Sequence, residues 1–240
     1  MKNGITESEK GIHPVDAVMK SMYLKEAMSI GIDIVESEID SLSESEILKN
    51  IPIVKTVHSI AKISLAIRDR HFLKKVLIFI ASFNQGTANS EEIERRRKAA
   101  ESNEKWLRRE VELITIHLDR LDETEKSKIT AAFYTEYINQ NISWEDFREY
   151  LSVIERVFLQ DFEQVLKLYE AYIQEKKVSE QAQKGINGVI TKFTTELNCD
   201  RLIAVGLVSA KRTAVLSDKV RTEYSLTGLG LKLAEVLQQM

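Results

Sequence analysis

Cysteine, proline and glycine are scarce in this chain of 240 residues, and each shortage excludes a class of structure. Only one cysteine is present, Cys199, so neither an internal disulfide framework nor a cysteine-rich zinc site can form. Only two prolines occur, and the stretch from Thr87 to Lys184 contains neither proline nor glycine. Because a β-sheet protein places these residues at its turns, the absence predicts a run of helices across this stretch.

Long apolar runs and an excess of one charge are also missing. In the strongly apolar stretch 51–83 the longest wholly apolar part is VLIFIA, which begins at Val76, whereas a membrane-spanning helix needs roughly twenty apolar residues. The formal net charge is only −3, so any binding to phosphate or to anionic lipid must come from a local patch. The first residues lack the apolar core of a secretory signal, which favours a cytoplasmic protein that reaches a membrane only peripherally.

Catalytic motifs are absent as well. The sequence contains no HExxH, CxxC or GxSxG motif and no glycine-rich phosphate loop, and its histidines are scattered. His117 lies in a segment rich in leucine and isoleucine, where a lone imidazole is more often a hydrogen-bonded core group than a ligand. We therefore expect a protein that is not an enzyme and that has no cofactor and no metal site.

Apolar residues recur at three- and four-residue steps through the glycine-free stretch, which predicts helices. The clearest helix opens at Ser143, an N-cap residue with Asp146 in the first turn, and its apolar face is predicted to be core as far as Tyr172. Further helices are predicted near residues 16–30, 92–121 with a break around Ser102, 124–140 and 180–197. The predicted fold class is thus mainly all-α, a helical bundle.

The C-terminal region has a different pattern. The pattern predicts, in order, a short helix ending near Gly206, a strand, a basic loop, a second strand over 222–226 and a closing helix from Thr227. The order RLIAVGLVS, loop, YSLTGLGLKLAEVL resembles the second half of a winged-helix domain. We therefore predict an N-terminal helical region with an acidic segment (1–50), a helical core (51–178) and a winged-helix-like unit with a β-hairpin (179–240).

The segment 51–83 is strongly apolar and yet basic. With about 100° of rotation per residue, Lys55 and Lys62 share one face of a helix, and Val57 and Ile60 lie opposite. Such a basic amphipathic helix suits docking on an anionic membrane surface or on a partner protein, and it also suits a core helix with a solvated edge. The candidate docking residues are Lys55, Val57, Ile60, Lys62, Arg68, Arg70, Lys74 and Lys75.

An acidic segment directly precedes the basic one. Residues 33–46 contain six acidic side chains and no basic one. If this segment folds over the cationic face, it shields that face until a ligand or an oligomeric change uncovers it. The sequence therefore suggests a charge-masked switch, which salt would weaken.

The loop of the winged-helix-like unit offers a second basic patch. Four cations that could contact phosphate or an oligonucleotide stand on it, namely Lys211, Arg212, Lys219 and Arg221. The helix in the recognition position contains only Arg201 as an obvious base-reading side chain. Use of this unit for packing or dimerisation is equally open.

The basic run at 95–98 has a simpler interpretation. Taken alone, three arginines followed by a lysine resemble a nucleic-acid signal. Glutamates at 91, 92, 94 and 101 surround the run at helical spacing and compensate its charge. The sequence favours a solvated helix face here.

Several segments together resemble a group of bacterial all-helical proteins of phage-defence and abortive-infection loci. They are IPIVKT, SLAIRDRHFLKK, LDRLDETEKSKI, YINQNISWEDF, RLIAVGLVS and YSLTGLG, and the resemblance spans residues 51–237. This group includes effectors that act at the inner membrane, such as the membrane effector of Hailong-type defence pairs. The resemblance implies an all-helical body, a winged-helix-like C-terminus and no catalytic residues.

Two functions follow as expectations. The first is a non-enzymatic defence effector that engages a membrane or partner through segment 51–83 and is controlled by a ligand or by a partner encoded nearby. The alternative is a winged-helix regulator that binds nucleic acid through the basic residues of 211–221. A homo-oligomer is expected with either function.

Overall fold

The computed structural model describes residues 13–23, 31–38, 45–46, 48–61, 67–183, 199–214 and 220–240. Most of these residues are helical, and a small antiparallel hairpin lies near the C-terminus, so the predicted fold class is confirmed. The helices are α1 Pro14–Tyr23, α2 Ile32–Glu38, α3 Pro52–Ala61, α4 Ile67–Gln85, α5 Ser90–Glu101, α6 Lys105–Arg120, α7 Lys126–Ile138, α8 Trp144–Arg156, α9 Leu159–Gln183, α10 Asp200–Ala204 and α11 Gly228–Gln238. The strands are β1 Val208–Ala214 and β2 Val220–Leu226.

The chain divides into two compact units, residues 1–151 and 152–240, and the division falls within α8. The last predicted domain boundary, at 178/179, lies inside α9. Because α9 packs against α11 and β2, it belongs with the C-terminal elements. The predicted limits 1–50, 51–178 and 179–240 thus differ from these compact units and stay a prediction about domains.

Helix α4 is the centre of the first unit. It packs against α7 and also contacts α6, α2 and α1. Every residue from Val76 to Ala81 is buried, and Phe79 and Phe83 lie against the ring of Tyr134 with centroid distances of 5.9 and 5.0 Å. The apolar run VLIFIA is therefore the core of this unit, because a helix that is apolar on all sides is stable only when other helices surround it.

Two helices of the glycine-free stretch end at left-handed residues that are not glycine. Asn103 and Gln140 have φ angles of 55° and 61°. The amide of Glu104 donates to Ala99 O at 2.8 Å, and the amide of Asn141 donates to Glu136 O at 2.9 Å. These are the long bonds of Schellman motifs, so each helix ends cleanly without a glycine. The predicted break around Ser102 is confirmed.

Replacing Gln140 with glycine should stabilise the first unit. A side chain in the left-handed region costs free energy that glycine avoids, so we expect the free energy of unfolding to rise by about 0.5–1 kcal/mol. Urea titration followed by tryptophan fluorescence measures this, since both tryptophans, Trp106 and Trp144, lie in this unit. The matched control is Glu149→Gly at an exposed position inside α8, which should lose about 1 kcal/mol. A loss of stability in both variants would contradict the prediction.

The helix that opens at Ser143 is confirmed at its start and shorter than predicted. Ser143 and Asp146 form a reciprocal capping box, with N to Oδ2 and Oγ to N distances of 2.9 and 3.0 Å. The predicted continuous helix to Tyr172 is wrong, because α8 ends at Arg156 and α9 begins at Leu159. There the amide of Phe158 donates to Asp161 Oδ2 at 2.7 Å, and Phe158 is 44% exposed rather than core.

The C-terminal elements follow the predicted order of short helix, hairpin and closing helix. Val208 pairs with Leu226 and Ala214 with Val220 in the antiparallel register. Thr227 caps α11 by accepting the amide proton of Gly230 at 3.1 Å. Of the helix predicted over 180–197, residues 180–183 belong to α9 and residues 184–198 lie outside the described residues. Residues 24–30 of the first predicted helix also lie outside them.

Candidate functional site

Helix α3 has the amphipathic pattern that the sequence predicts. Ile53 and Val54 are fully buried, whereas Lys55 and His58 are exposed. Val57 is half-buried, so it is neither a free docking residue nor a complete core residue. Two further candidate docking groups, the side chain of Ile60 and the whole of Lys62, lie outside the described residues.

The first turns of α4 differ from the rest of this helix. Ile67 is 87% exposed, and Arg68, Arg70 and His71 are exposed as well, while Lys74 is half-buried. We call these five residues the basic end of α4. From Val76 to Ala81 every residue of the same helix is buried, so the basic end is confined to about its first two turns.

Arg68 and Lys75 connect α4 to the carboxyl end of α6. Arg68 Nη2 lies 2.9 Å from Asp119 Oδ2, and this ion pair is solvent-exposed. Lys75 Nζ donates to the carbonyl oxygens of Asp119 and Leu121 at 2.9 and 2.7 Å. Carbonyls at the carboxyl end of a helix lack the amides of a following turn, so the ammonium group stabilises this helix end.

This position corrects the prediction for Lys75. Its side chain is 2% exposed, so Lys75 is not part of a solvent-facing basic face. Burial lowers the pKa of Lys75 from its usual value, and the nearby carboxylates of Asp119 and Asp122 oppose that effect. Lys75 is therefore a structural cation of the first unit.

The hairpin keeps part of the second predicted basic patch at the surface. Lys211 and Arg212 are exposed on β1, and Lys211 stands opposite Glu223 of β2. Arg221 stands opposite Thr213, but the side chain of Arg221 and the whole of Lys219 lie outside the described residues.

Arg201, the one base-reading candidate of the recognition position, is engaged within the second unit. Its guanidinium Nη1 lies 2.9 and 2.7 Å from the two carboxylate oxygens of Asp161, and it stands 4.1 Å above the ring of Phe158. Asp161 is 2% exposed, so the pair connects α10 to the start of α9. This use of Arg201 favours a structural role for α10 over base reading.

A buried polar cluster in the first unit was not predicted from the sequence. Arg96 and Glu110 form an ion pair and are 2% and 6% exposed. Tyr134 donates its hydroxyl proton to Glu110 Oε1 at 2.6 Å and accepts from Arg96 Nη1 at 3.1 Å. Since that proton is already used, Tyr23 donates to Tyr134 across the 2.9 Å contact between their hydroxyl oxygens. Arg96 Nε also binds Glu92 at 2.9 Å.

The electrostatics of this cluster hold its groups in one protonation state. Burial raises the pKa of Tyr23 to about 12 and raises that of Tyr134 well above its usual value, so both phenols stay neutral. Burial alone would lower the pKa of Arg96, but the surrounding hydroxyl oxygens of Tyr134 and Tyr23 and the carboxylate of Glu110 outweigh it and raise that pKa. A permanently charged arginine that donates to Glu92, Glu110 and Tyr134 is a structural group and not a proton-transfer group.

The solvated-face interpretation of residues 95–98 is therefore wrong at Arg96. Arg95 and Lys98 are exposed as predicted, but Arg96 shares the buried face of α5 with Ala99 and Ala100. The spacing of these three residues is the helical step of i, i+3 and i+4, a signal that could have identified the buried face.

Other candidate chemical groups are also part of the core. His117 is 4% exposed, and its Nε2 lies 3.2 Å from Thr130 Oγ1, as predicted for a core histidine. Burial, together with Arg120, Lys126 and Lys75, lowers the pKa of His117 to about 4. Burial and Asp200 raise the pKa of the Cys199 thiol.

Metal-ligand clusters and membrane-spanning helices are not found within the described ranges. No group of three or more His, Cys, Asp or Glu residues there is placed to hold a metal ion. None of the described helices combines the length and the apolar character that crossing a bilayer requires. No protein-family model, curated protein or solved structure matches this chain significantly.

Proposed function

We propose that this protein is a non-enzymatic docking protein of the bacterial defence type that binds an anionic membrane surface through the basic end of α4. The observation that carries the proposal is the exposure of Ile67 beside Arg68 and Arg70 at the tip of a helix whose middle is buried. An apolar side chain among cations is the combination that anchors a protein at the headgroup level of a bilayer. The resemblance to defence effectors that act at the inner membrane agrees with this role.

The proposed docking is peripheral. Insertion of segment 51–83 would require VLIFIA to leave the core, where Phe79 and Phe83 pack on Tyr134. Docking through the first turns of α4 needs no such rearrangement, because those residues already face solvent. Control by a ligand, by a partner encoded nearby or by assembly of several copies is part of the proposal.

The acidic segment provides a means of control. Helix α2, which carries its first acidic residues, packs against α4, and Val35 of α2 is fully buried. Residues 39–44 lie outside the described residues. Release of this segment would change the electrostatic potential at the basic end of α4. At physiological salt, charges affect one another over about 8 Å before dissolved ions screen them.

Vesicle binding tests the docking proposal. We expect the protein to sediment with vesicles rich in phosphatidylglycerol and not with neutral vesicles. The double variant Arg70→Ala/Lys74→Ala should bind about 30-fold more weakly, since each cation near an anionic surface contributes about 1 kcal/mol. Ile67→Ser alone should also weaken vesicle binding. It should not lower the free energy of unfolding, because this side chain is already in solvent.

The matched control removes the same charge elsewhere. Lys98→Ala/Lys167→Ala alters two exposed lysines of α5 and α9 and should retain most of the binding. Equal losses in the two double variants would show that only net charge matters, and no binding to anionic vesicles at low salt would refute the proposal.

Nucleic-acid binding is the second candidate function, favoured by the exposure of Lys211 and Arg212 on β1. A duplex-DNA arm in the same assay separates the two. If the hairpin binds phosphate, affinity for duplex DNA falls steeply with salt, and Arg212→Ala weakens it while leaving vesicle binding unchanged. Under the docking proposal, Arg212→Ala affects neither measurement.

A further inference from the structure

His117 lies where α6 ends, close to both α4 and α7. It belongs to the last turn of α6 and is 4% exposed. Its Nε2 lies 3.2 Å from Oγ1 of Thr130, a fully buried residue of α7. Just beyond it, Lys75 of α4 binds the carbonyl oxygens of Asp119 and Leu121. The imidazole is thus enclosed at the junction of these three helices.

The hydrogen bonds of Thr130 define the tautomer of this imidazole. The Thr130 hydroxyl donates its one proton to the carbonyl oxygen of Lys126 at 2.8 Å. Its oxygen can therefore only accept from His117, so we assign the proton of the neutral ring to Nε2. A second proton would bind at Nδ1 and would make the ring a cation.

Positive charge surrounds the imidazole. Three cations from three helices lie near it, namely Lys75 of α4, Arg120 of α6 and Lys126 of α7. Burial and these three charges together lower the pKa of His117 to about 4. Lys75 and Lys126 are themselves buried, so water screens their charges little. A proton added to the ring would therefore place a fourth positive charge in a buried, cationic site.

The carboxylates of this region do not offset that effect. Four of them belong to it, namely Asp119, Asp122, Glu123 and Glu125. The first two form ion pairs with Arg68 and Lys126, the third is half-buried, and the fourth is exposed. A nearby carboxylate favours a charged imidazole, yet the pKa of His117 is lowered, so burial and the cations outweigh the carboxylates.

We propose that His117 is the proton sensor of an acid-sensitive latch at the turn between α6 and α7, residues 121–125. The neutral ring closes the latch by bonding α6 to α7 through Thr130. A proton from solvent that binds Nδ1 makes the ring a cation among cations, and opening of the turn exposes this cation to water. The proton therefore favours the open form. The proposal does not depend on membrane binding by the basic end of α4.

Opening of the latch reaches α4 as well. The two carbonyl oxygens that bind Lys75 belong to Asp119 and Leu121, at the end of α6 and the start of the turn. Arg68 of α4 pairs with the carboxylate of the same Asp119. When the turn opens, both side chains lose these partners, so the first turns of α4 are released together with the turn.

The latch opens over a defined range of pH. The pKa of His117 is about 4 in the closed form and returns toward the ordinary value of 6.5 in the open form. The open form therefore binds the proton more tightly, so the latch is closed above pH 6.5 and loosens as the pH falls toward 4. Between pH 7 and pH 5 the population of the open form should rise about twentyfold.

Hydrogen exchange in the full-length protein measures the opening. Protection factors, which correct for the intrinsic effect of pH on exchange, should fall about twentyfold between pH 7 and pH 5 for the amides of residues 121–130. The amides of α9 and β1 should keep their protection. Nitrogen-15 NMR of protein labelled at histidine gives the tautomer and the charge of His117 directly. We expect the Nε2-protonated neutral ring at pH 6.

Three variants test the sensor. His117→Gln retains a donor for Thr130 but cannot become a cation, so its protection factors should be equal at the two pH values. Arg120→Gln removes an exposed member of the cation group and should make the change smaller than in the unaltered protein. The matched control is His58→Gln, which removes an exposed histidine of α3 and should retain the full change. Circular dichroism checks that each variant is folded.

Any of four results would overturn the proposal. They are equal protection of residues 121–130 at pH 7 and pH 5, the full change in His117→Gln, an equal loss of protection throughout the first unit, and a charged His117 ring at pH 6. The third result would mean that acid unfolds the whole unit rather than the turn. If His117→Gln does not fold, Arg120→Gln decides, because an undiminished change in that variant would equally refute a sensor among cations.

Discussion

Replacing Arg96 with alanine is expected to lower the free energy of unfolding of the first unit by about 3–5 kcal/mol. The guanidinium is 2% exposed and is the cation that faces the buried carboxylate of Glu110. Alanine would leave this carboxylate without its charge partner and the hydroxyl of Tyr134 without one of its donors. Urea titration followed by tryptophan fluorescence measures the loss, since both tryptophans lie in this unit.

The neighbouring arginine is a matched control. Arg95 shares the partner Glu92 with Arg96, at distances of 2.6 and 2.9 Å, but its side chain is 58% exposed. An exposed ion pair contributes less than about 1 kcal/mol, so Arg95→Ala should cost no more than that. Its guanidinium lies 4.6 Å from the ring of Trp106, and the fluorescence of the folded variant should therefore change as well.

A double variant separates the ion pair from simple loss of packing. In Arg96→Met/Glu110→Leu both charges are replaced by apolar groups of similar size, so no uncompensated charge remains. We expect this variant to recover at least about 2 kcal/mol relative to Arg96→Ala. If Arg96→Ala cost as little as Arg95→Ala, or if the double variant were the least stable, the buried pair would not have the assigned role.

Local signals in the sequence predicted the helix ends well. The capping box at Ser143 and Asp146 and the break around Ser102 depend on groups only a few residues apart. The N-cap at Thr227 is equally local. The break between α8 and α9 was not predicted, because Phe158 continues the apolar spacing of the preceding helix. At this break the carboxylate of Asp161 accepts a hydrogen bond from the amide of Phe158 and so caps the start of α9.

Long-range packing decided what the sequence could not. Segment 51–83 contains both the basic end of α4 and the centre of the core, and only the helices around α4 distinguish them. Lys75 stands seven residues after the exposed Arg68, and both reach the end of α6. The carbonyls that surround the ammonium group of Lys75 belong to residues more than forty positions away, so no local pattern reports its burial.

The candidate site was partly predictable for the same reason. Exposure of Lys55, Arg68 and Arg70 follows from polarity and helical spacing, and the structure agrees. Arg96 was predicted to lie at the surface because nearby glutamates compensate its charge. Pairing with glutamates also allows an arginine to be buried, as Arg96 is against Glu92 and Glu110. The decisive partner, Glu110, comes from the next helix, and sequence spacing within α5 does not reveal it.

The second large effect is expected from Gly230→Ala, which should destabilise the C-terminal elements by about 3 kcal/mol or more. A Cβ at this position would lie 2.1 Å from the carbonyl oxygen of Leu207 and 3.1 Å from its carbonyl carbon. That carbonyl cannot easily move, because it accepts the amide proton of Thr227 at 3.0 Å, and the hydroxyl of Thr227 donates to the preceding carbonyl, that of Gly206, at 2.7 Å. Helix α11 must therefore shift away from the residue that precedes β1.

Hydrogen exchange measured by mass spectrometry can follow this change in the full chain. The amides of β1, β2 and α11 should exchange much faster in Gly230→Ala, while the tryptophan fluorescence of the first unit stays unchanged. Gly228→Ala is the matched control, because it lies on the same helix and its Cβ would meet nothing within 4 Å. It should be neutral or slightly stabilising, since alanine favours the helix. Equal exchange in the two variants would mean that the close approach of α11 to Leu207 does not hold the hairpin in place.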